Sequence, residues 1–211
     1  MTAERYALLC LTPLLLMGCA DEAGAPPTPA TEEVVESAPP VAPAPEGPHL
    51  IRPDVSPAEG TLSGAGIAFD LPASWEPQPP ANTMRVGQAA IPGPGGAGEL
   101  AVFFFGPGGG GGTEANLQRW VSQMQPAPGA EPERQTWQSG PLTIHLLALE
   151  GTVLPSSMGM GPSDPVPDSM LLAAVVEGSG GPWFFKATGP RETLRAEMPA
   201  FEGMLRGIRL E

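Results

Sequence analysis

Residues 61–211 are predicted to form an α+β fold, a mostly antiparallel sheet with helices on its faces. Three observations carry that prediction. Seven segments of the region show the alternation, or the β-branched and aromatic enrichment, of strands. Breaks of hairpin length separate neighbouring segments, and strands joined by hairpins pair antiparallel. Two further segments place apolar residues at helical spacing on one side only, so each has a single face to bury against a sheet.

The strands are expected at 65–71 (AGIAFDL), 84–91 (MRVGQAAI), 99–105 (ELAVFFF), 134–138, 142–153 (LTIHLLALEGTV), 169–177 (SMLLAAVVE) and 182–188 (PWFFKAT). Ser139-Gly140-Pro141 and Gly178-Ser179-Gly180-Gly181 are the turn signals between the later strands. Phe103-Phe104-Phe105 and Trp183-Phe184-Phe185 are consecutive. Consecutive strand residues face opposite sides, so both faces of these strands need a cover. The first helix is expected from Glu114 to Gln125, capped by Thr113, with Leu117, Trp120, Val121 and Met124 in one stripe and Pro126 as the stop. The second spans about Arg191 to Arg209 with Leu194, Met198, Phe201, Leu205 and Ile208 on one face, and Pro199 either kinks it or starts its second part. Gly/Pro-rich connections fall at 92–98, 106–112, 126–132 and 154–168.

The chain ahead of this domain is of a different kind. With 28 Gly and 29 Pro among 211 residues, the composition as a whole approaches low complexity. Residues 1–19 have a short basic start at Arg5 and an apolar run from Tyr6 to Leu16, too short for a permanent span, as in an export signal. They end in Leu16-Met17-Gly18-Cys19, which resembles the bacterial lipobox and makes Cys19 the predicted site of lipidation. Cys10 lies inside the apolar run behind the bulky Leu9 and leaves with the signal. With Cys10 removed and Cys19 acylated, no disulfide is available. Two or three acyl chains anchor stably where one is marginal. Ala20 follows Cys19, and Asp21 and Glu22 come next, which leaves the leaflet open.

From Ala20 to about Gly60 the chain holds ten Pro in 41 residues, no aromatic, and eight acids against Arg52. Such a segment cannot bury enough apolar surface to offset its ordering entropy. It reads as a disordered tether, extended in places, that spans on the order of 120 Å if fully stretched. His49 has no cluster of partners here and reads as solvated. The expected organisation is therefore 1–18 signal peptide, 19–60 lipidated Cys and Pro/Ala/Glu tether, and 61–211 sandwich domain.

The formal net charge of −13 removes the electrostatic basis for nucleic-acid binding. About half of it belongs to the tether, and the domain itself carries fourteen acids and eight bases. Within the domain, Gly106-Pro107-Gly108-Gly109-Gly110-Gly111-Gly112 contains a GxGxxG string, but Thr113-Glu114 brings negative charge where a phosphate loop needs Lys, and the parallel βαβ setting is missing. It reads as a flexible connection. His145 is the sole domain His and no Cys accompanies it, so a zinc site of the usual kind cannot assemble. The thioethers of Met158 and Met160, with Met170 beyond, suit Cu(I), though gap-filling is the commoner use of Met. Asp164 and Asp168 lack calcium-loop spacing. No GxSxG occurs, and Asp70, Glu99, Glu150 and Glu177 each read as solvent-facing strand residues. Trp75, Trp137 and Trp183 are the candidates to line a ligand groove.

Gly66-Ile67-Ala68-Phe69-Asp70-Leu71-Pro72-Ala73-Ser74-Trp75, a central helix carrying Trp120, and Trp183-Phe184-Phe185-Lys186-Ala187-Thr188-Gly189-Pro190 before a helix that ends near Ile208 together resemble the PsbP-like superfamily. The resemblance covers roughly residues 64–210 as a pattern of elements, with FxLPxxW and FFKxTGP its locally specific strings. That group includes extrinsic photosystem proteins, a nuclear import factor that shares the fold, and many small bacterial lipoproteins. The resemblance implies an α-β-α sandwich and, since most members are binding or assembly factors, a fold far more than an activity. The Gly-rich insertions speak against the photosystem role itself, and no family site transfers residue by residue.

The expected protein is a membrane-anchored lipoprotein of the bacterial envelope, on the periplasmic or outer-membrane side, held by acyl chains on Cys19. Its domain is expected to be non-catalytic, without a cofactor, and to bind an envelope protein, a polymer or a small ligand. The alternatives are an exported enzyme with carboxylates around His145, and a copper-binding protein that uses Met158 and Met160.

Overall fold

The computed structural model describes residues 61–64, 66–156 and 161–210. Cys19, the tether and the Met158–Met160 loop lie outside the described residues. In chain order the elements are β1 (Thr61–Gly64), β2 (Ile67–Asp70), β3 (Glu76–Pro77), β4 (Arg85–Ile91), β5 (Gly98–Phe104), α1 (Thr113–Ser122), β6 (Met124–Pro126), β7 (Glu133–Ser139), β8 (Leu142–Val153), β9 (Val166–Glu177), β10 (Trp183–Pro190), α2 (Arg191–Arg206) and β11 (Arg209–Leu210). The large sheet has the order β3-β4-β5-β10-β9-β8-β6, with β7 also on β8, and a small sheet has the order β1-β2-β11. All of these pairings are antiparallel. The architecture is the α+β class expected. All seven anticipated strands are present, several shifted by one to three residues at an end.

The two hairpin signals act as read. Gly140, at φ +58°, turns β7 into β8 with Ser139 opposite Leu142, and the Gly178–Gly181 run returns β9 to β10. Strand β8 is long enough to take two partners on one edge. Its first part pairs with β7 from Leu142 to Ala148, and its last part pairs with β6 from Gly151 to Val153.

Alternation along β10 divides the molecule into two cores. Trp183, Phe185 and Ala187 point to one side, where they join Phe69, Leu100, Val102, Phe104, Ile144 and the α2 residues Leu194, Phe201 and Leu205. Phe184 points to the other, where it meets Leu147, Leu149, Leu171, Val175 and the α1 residues Leu117 and Trp120. Neither helix can be dispensed with, because each covers aromatic rings that the other cannot reach. The packing is edge-on in places: Phe69 meets Phe185 at 5.0 Å and 74°, and Trp120 meets Phe184 at 6.4 Å and 80°.

Four short strands, β1, β3, β6 and β11, escaped the sequence pattern because each is only two to four residues long. Two of them shorten the predicted helices. Met124–Pro126 leaves α1 to fill the free edge of β8, yet Met124 still packs beside Trp120. Thr113 does not cap α1: the N-cap is Gly112 without a side-chain bond, and the Thr113 hydroxyl donates to Glu177 Oε1 instead. At the other end, α2 stops at Arg206 and Arg209–Leu210 pairs with β2. Arg209 grips Asp70 with both terminal nitrogens, at 2.7 and 3.0 Å, and Thr61 donates to the same carboxylate at 2.6 Å. These bonds hold the Asp70 carboxyl down to about 2. Pro199 lies inside α2 without ending it. It is on the exposed side, as is Arg195, whose carbonyl the missing N–H leaves without its helical donor.

The Gly-rich connection after β5 has a defined path. Gly106, Gly108, Gly110 and Gly111 all adopt positive φ, and the Asn116 amide donates to the carbonyls of Gly110 and Gly112 at 2.9 Å. Gly110 sits against Phe184, so an added Cβ would lie 2.4 Å from that ring at φ +75°. Gly110→Ala is expected to cost about 2–4 kcal/mol, the sum of left-handed strain and overpacking, seen as a lower urea midpoint at unchanged slope. Gly129→Ala, at φ +78° with open space around it, should cost only the conformational share. Equal losses at the two positions would mean that Phe184 does not set the path of the loop.

Candidate functional site

The face of the large sheet that carries α1 is only partly apolar. Helix α1 packs over β6, β8 and β9. On the β4, β5 and β10 part of this face the alternating positions are Gln88 on β4, Glu99, Ala101 and Phe103 on β5, and Lys186 on β10, which lies between Ala101 and Ala173. Ala101 and Ala173 are small, so a long side chain can lie across them. A polar inlay fills the space that an apolar core would otherwise occupy.

Its hydrogen bonds fall into three groups. Arg85 Nη1 donates to Gln88 Oε1 at 2.7 Å and to Glu99 Oε1 at 2.8 Å. The Gln88 amide donates to Glu99 Oε2 at 3.0 Å and to Gln78 Oε1 at 3.2 Å, while its oxygen also accepts from the Ala81 N–H at 2.9 Å. Gln88 is 8% exposed, so this bonding is what makes its burial tolerable. Lys186 Nζ donates to Gln123 Oε1 at 2.6 Å, just past the end of α1, and Arg119 Nη2 donates to Asn116 Oδ1. One donor is left over: Arg85 Nε is buried and has no partner.

The electrostatics are unbalanced. Arg134, Arg191, Arg195, Arg206 and Arg209 each face a carboxylate, as does Arg85. Lys186 and Arg119 instead have amide oxygens, which satisfy a donor without neutralising a charge. Burial pushes the Lys186 amine down to about 8, and the neighbouring Arg119 and Arg85 push the same way, against the weaker pull of Glu99.

The three tryptophans expected to line a groove do not share one. Trp75 is core, stacked 6.4 Å from Phe201, and its indole N–H donates to Glu197 at 2.8 Å. Trp183 is 1% exposed and packs on Phe104 at 4.8 Å, with only an edge at the small dip formed by Gly66, Gly178–Gly181 and Leu210. Trp137 sits on β7 with the Arg206 guanidinium 4.4 Å above its ring. Alternation sends all three toward the α2 side, where they serve packing. A second concavity, by Asp70, Pro72, Ala200, Gly203, Met204 and Gly207, also lies on that side.

The four carboxylates that sequence could not place are kept apart: Asp70 goes to Arg209, Glu99 to Arg85, Glu150 to Arg195, and Glu177 to Thr113 and His145. His145 Nδ1 lies 3.2 Å from the Thr136 hydroxyl and Nε2 lies 3.5 Å from Glu177 Oε2. Glu114 adds a nearby negative charge and is itself bonded to Arg134 at 2.9 Å. Thr136 and His145 are directly opposite on β7 and β8, so their contact is what the ladder register produces. Among the described residues, no three His, Cys, Asp or Glu side chains converge as a metal site would require.

Sequence reasoning passed over Arg85, Gln88, Arg119, Gln123 and Lys186 as a group. One signal was available, the chain's single Lys directly after Trp183-Phe184-Phe185 in a strand expected to be covered on both faces. Which side chains meet that Lys depends on the order β4-β5-β10-β9, which hairpin signals do not specify.

No family model matches this sequence, and no curated protein matches it. Among solved structures the chain is similar to the cyanobacterial PsbP, CyanoP, of Synechocystis sp., with a TM-score of 0.42 and 14% identity over 70% of this chain and 88% of that one. It is also similar to PA94 of Pseudomonas aeruginosa, a protein of unknown function, with a TM-score of 0.39 and 16% identity over 66% of this chain and 88% of that one.

The depressed Lys186 amine makes a prediction that sole Lys and sole Tyr content renders clean, since little else in the chain titrates at high pH. The unfolded chain holds the Lys proton up to about 10.5 and the folded chain only to about 8, so stability should rise across that window. Lys186→Met should therefore stabilise the domain by about 1–2 kcal/mol at pH 7, after a discount for the half-buried amine, and the advantage should vanish by about pH 10.5. A gain that persists at high pH in urea titrations would place its origin in packing rather than charge.

Proposed function

We propose that this protein is a lipoprotein of the bacterial envelope, anchored through acyl chains on Cys19, whose sandwich domain works by binding rather than by catalysis. One observation carries the reading: Leu16-Met17-Gly18-Cys19 closes an apolar run of signal length, and a tether rich in Pro and acid separates it from the folded domain. The lipid fixes one end and the tether lets the domain search a volume above the membrane, which raises its effective concentration toward a partner at that surface. Among the described residues no helix is long and apolar enough to cross a membrane.

The binding reading is supported by the dispersal of Asp70, Glu99, Glu150 and Glu177, three of them on separate arginines. An exported enzyme is the second reading, favoured by the order Thr136, His145, Glu177. It stands on weaker ground: the Nε2–Oε2 approach of 3.5 Å is an ion-pair contact rather than a hydrogen bond, and Thr136 is exposed. The copper reading rests on Met158 and Met160, outside the described residues.

Metabolic labelling with palmitate tests the anchor. Label should enter the wild-type chain and be lost in Cys19→Ala, with accumulation of the uncleaved precursor; equal incorporation in both would sink the lipoprotein reading. A crosslinking pull-down from native membranes, with Cys19→Ala as control, then tests the binding role. A partner enriched only with the anchored form is the expected result.

A further inference from the structure

We infer that Arg85, Arg119 and Lys186 form a site for the phosphate monoester group of a ligand, on the α1 face of the sheet beside the C-terminal end of α1. The inference rests on the reading of the domain as a binding module and is independent of the lipid anchor. Three observations on different atoms lead to it. Lys186 and Arg119, alone among the bases of the described residues, have amide oxygens instead of a carboxylate as their hydrogen-bond partners. Arg85 spends Nη1 on Gln88 and Glu99 but leaves Nε buried and unpartnered. A buried donor with no partner is destabilising, and a bound acceptor removes that cost. Lys186 and Gln88, which holds Arg85, flank Ala101 in one row of the sheet, and Gln123, which holds Lys186, lies one turn beyond Arg119 at the end of α1, so the charges of Arg85 and Arg119 both act on Lys186.

Charge selects the ligand class. Three cations and one carboxylate leave the site at a net +2 within a domain that carries fourteen acids and eight bases. Phosphate monoesters approach two negative charges near neutral pH and offer three acceptor oxygens, whereas a carboxylate or phosphodiester brings one charge. A guanidinium and an ammonium divide the work. Arg119 and Arg85 present planar donor sets suited to phosphate oxygens, and Lys186 supplies a compact charge that can swing from Gln123. The amide oxygens of Gln88, Asn116 and Gln123 keep Arg85, Arg119 and Lys186 in place, and amides release a donor more cheaply than carboxylates do. Phe103 and Phe105, stacked 6.2 Å apart on the same face, give the remainder of the ligand an apolar surface to rest on.

The test is calorimetric titration of the purified full chain in neutral detergent with glycerol 3-phosphate, inorganic phosphate, and acetate as the singly charged control. Saturable binding of the two phosphates, at least tenfold tighter than acetate, is expected. Lys186→Met and Arg119→Gln should each weaken it tenfold or more. Arg134→Gln, on β7 and paired with Glu114 of α1, should leave it unchanged. Because Lys186→Met is expected to be more stable than the wild type, loss of binding there cannot be ascribed to unfolding. Phosphatidic acid doped into the micelles separates the sources: competition with glycerol 3-phosphate assigns a lipid headgroup, and its absence assigns a soluble monoester. No saturable phosphate binding, or equal losses in Arg134→Gln and Lys186→Met, would overturn the proposal. Palmitate labelling of the same preparation reports on the anchor separately, so failure of one reading is not mistaken for failure of the other.

Discussion

Everything in this fold depends on β10 being buried on both faces. Trp183 and Phe185 must be covered on one side and Phe184 on the other, because adjacent strand residues diverge by the geometry of the pleat. A sheet covered once would leave at least one large ring in water, at a loss of roughly 2–3 kcal/mol. The central position of β10 between β5 and β9 follows, since only an interior strand has neighbours that present apolar side chains to both of its faces. From this the placement of both helices follows in turn. The small sheet of β1, β2 and β11 completes the cover on the α2 side through Ile67 and Phe69.

Where that double cover runs short, chemistry appears. Helix α1 is ten residues long and spans about 15 Å, too little to roof the whole face. The uncovered part is occupied by Arg85, Gln88 and Glu99, held by mutual hydrogen bonds rather than by apolar contact, and by Lys186, held by Gln123. A domain built only for stability would place an aliphatic side chain at Lys186, between two alanines. Retaining a half-desolvated amine among guanidinium groups sets stability against charge, the pattern of a site whose cost is recovered on binding.

The Gly and Pro content resolves into two physical uses. Between Ala20 and Gly60 Pro stands with acids and without aromatics, a composition poor in apolar surface to bury. In the domain Gly permits close approach and left-handed turns, as at Gly110 against Phe184 and at Gly189, where an added Cβ would fall 2.5 Å from the Gly98 backbone across the β5–β10 ladder.

Local pattern alone determined the class of fold, seven strands and the places of the two hairpins, because each depends on residues within a turn or a few positions of one another. It also required a two-sided cover from Phe103–Phe105 and Trp183–Phe185 before any tertiary contact was known. Only the assembled sheet decided the ends of the helices, since the free edge of β8 drew Met124–Pro126 out of α1 and β2 drew Arg209–Leu210 away from α2. It also removed Trp75 and Trp183 from any groove by packing them on Phe201 and Phe104. The polar inlay belongs wholly to that second level. Arg85, Arg119, Gln123 and Lys186 are up to a hundred residues apart, and strand order, which is set by the summed burial of two cores rather than by any short segment, is what brings them together.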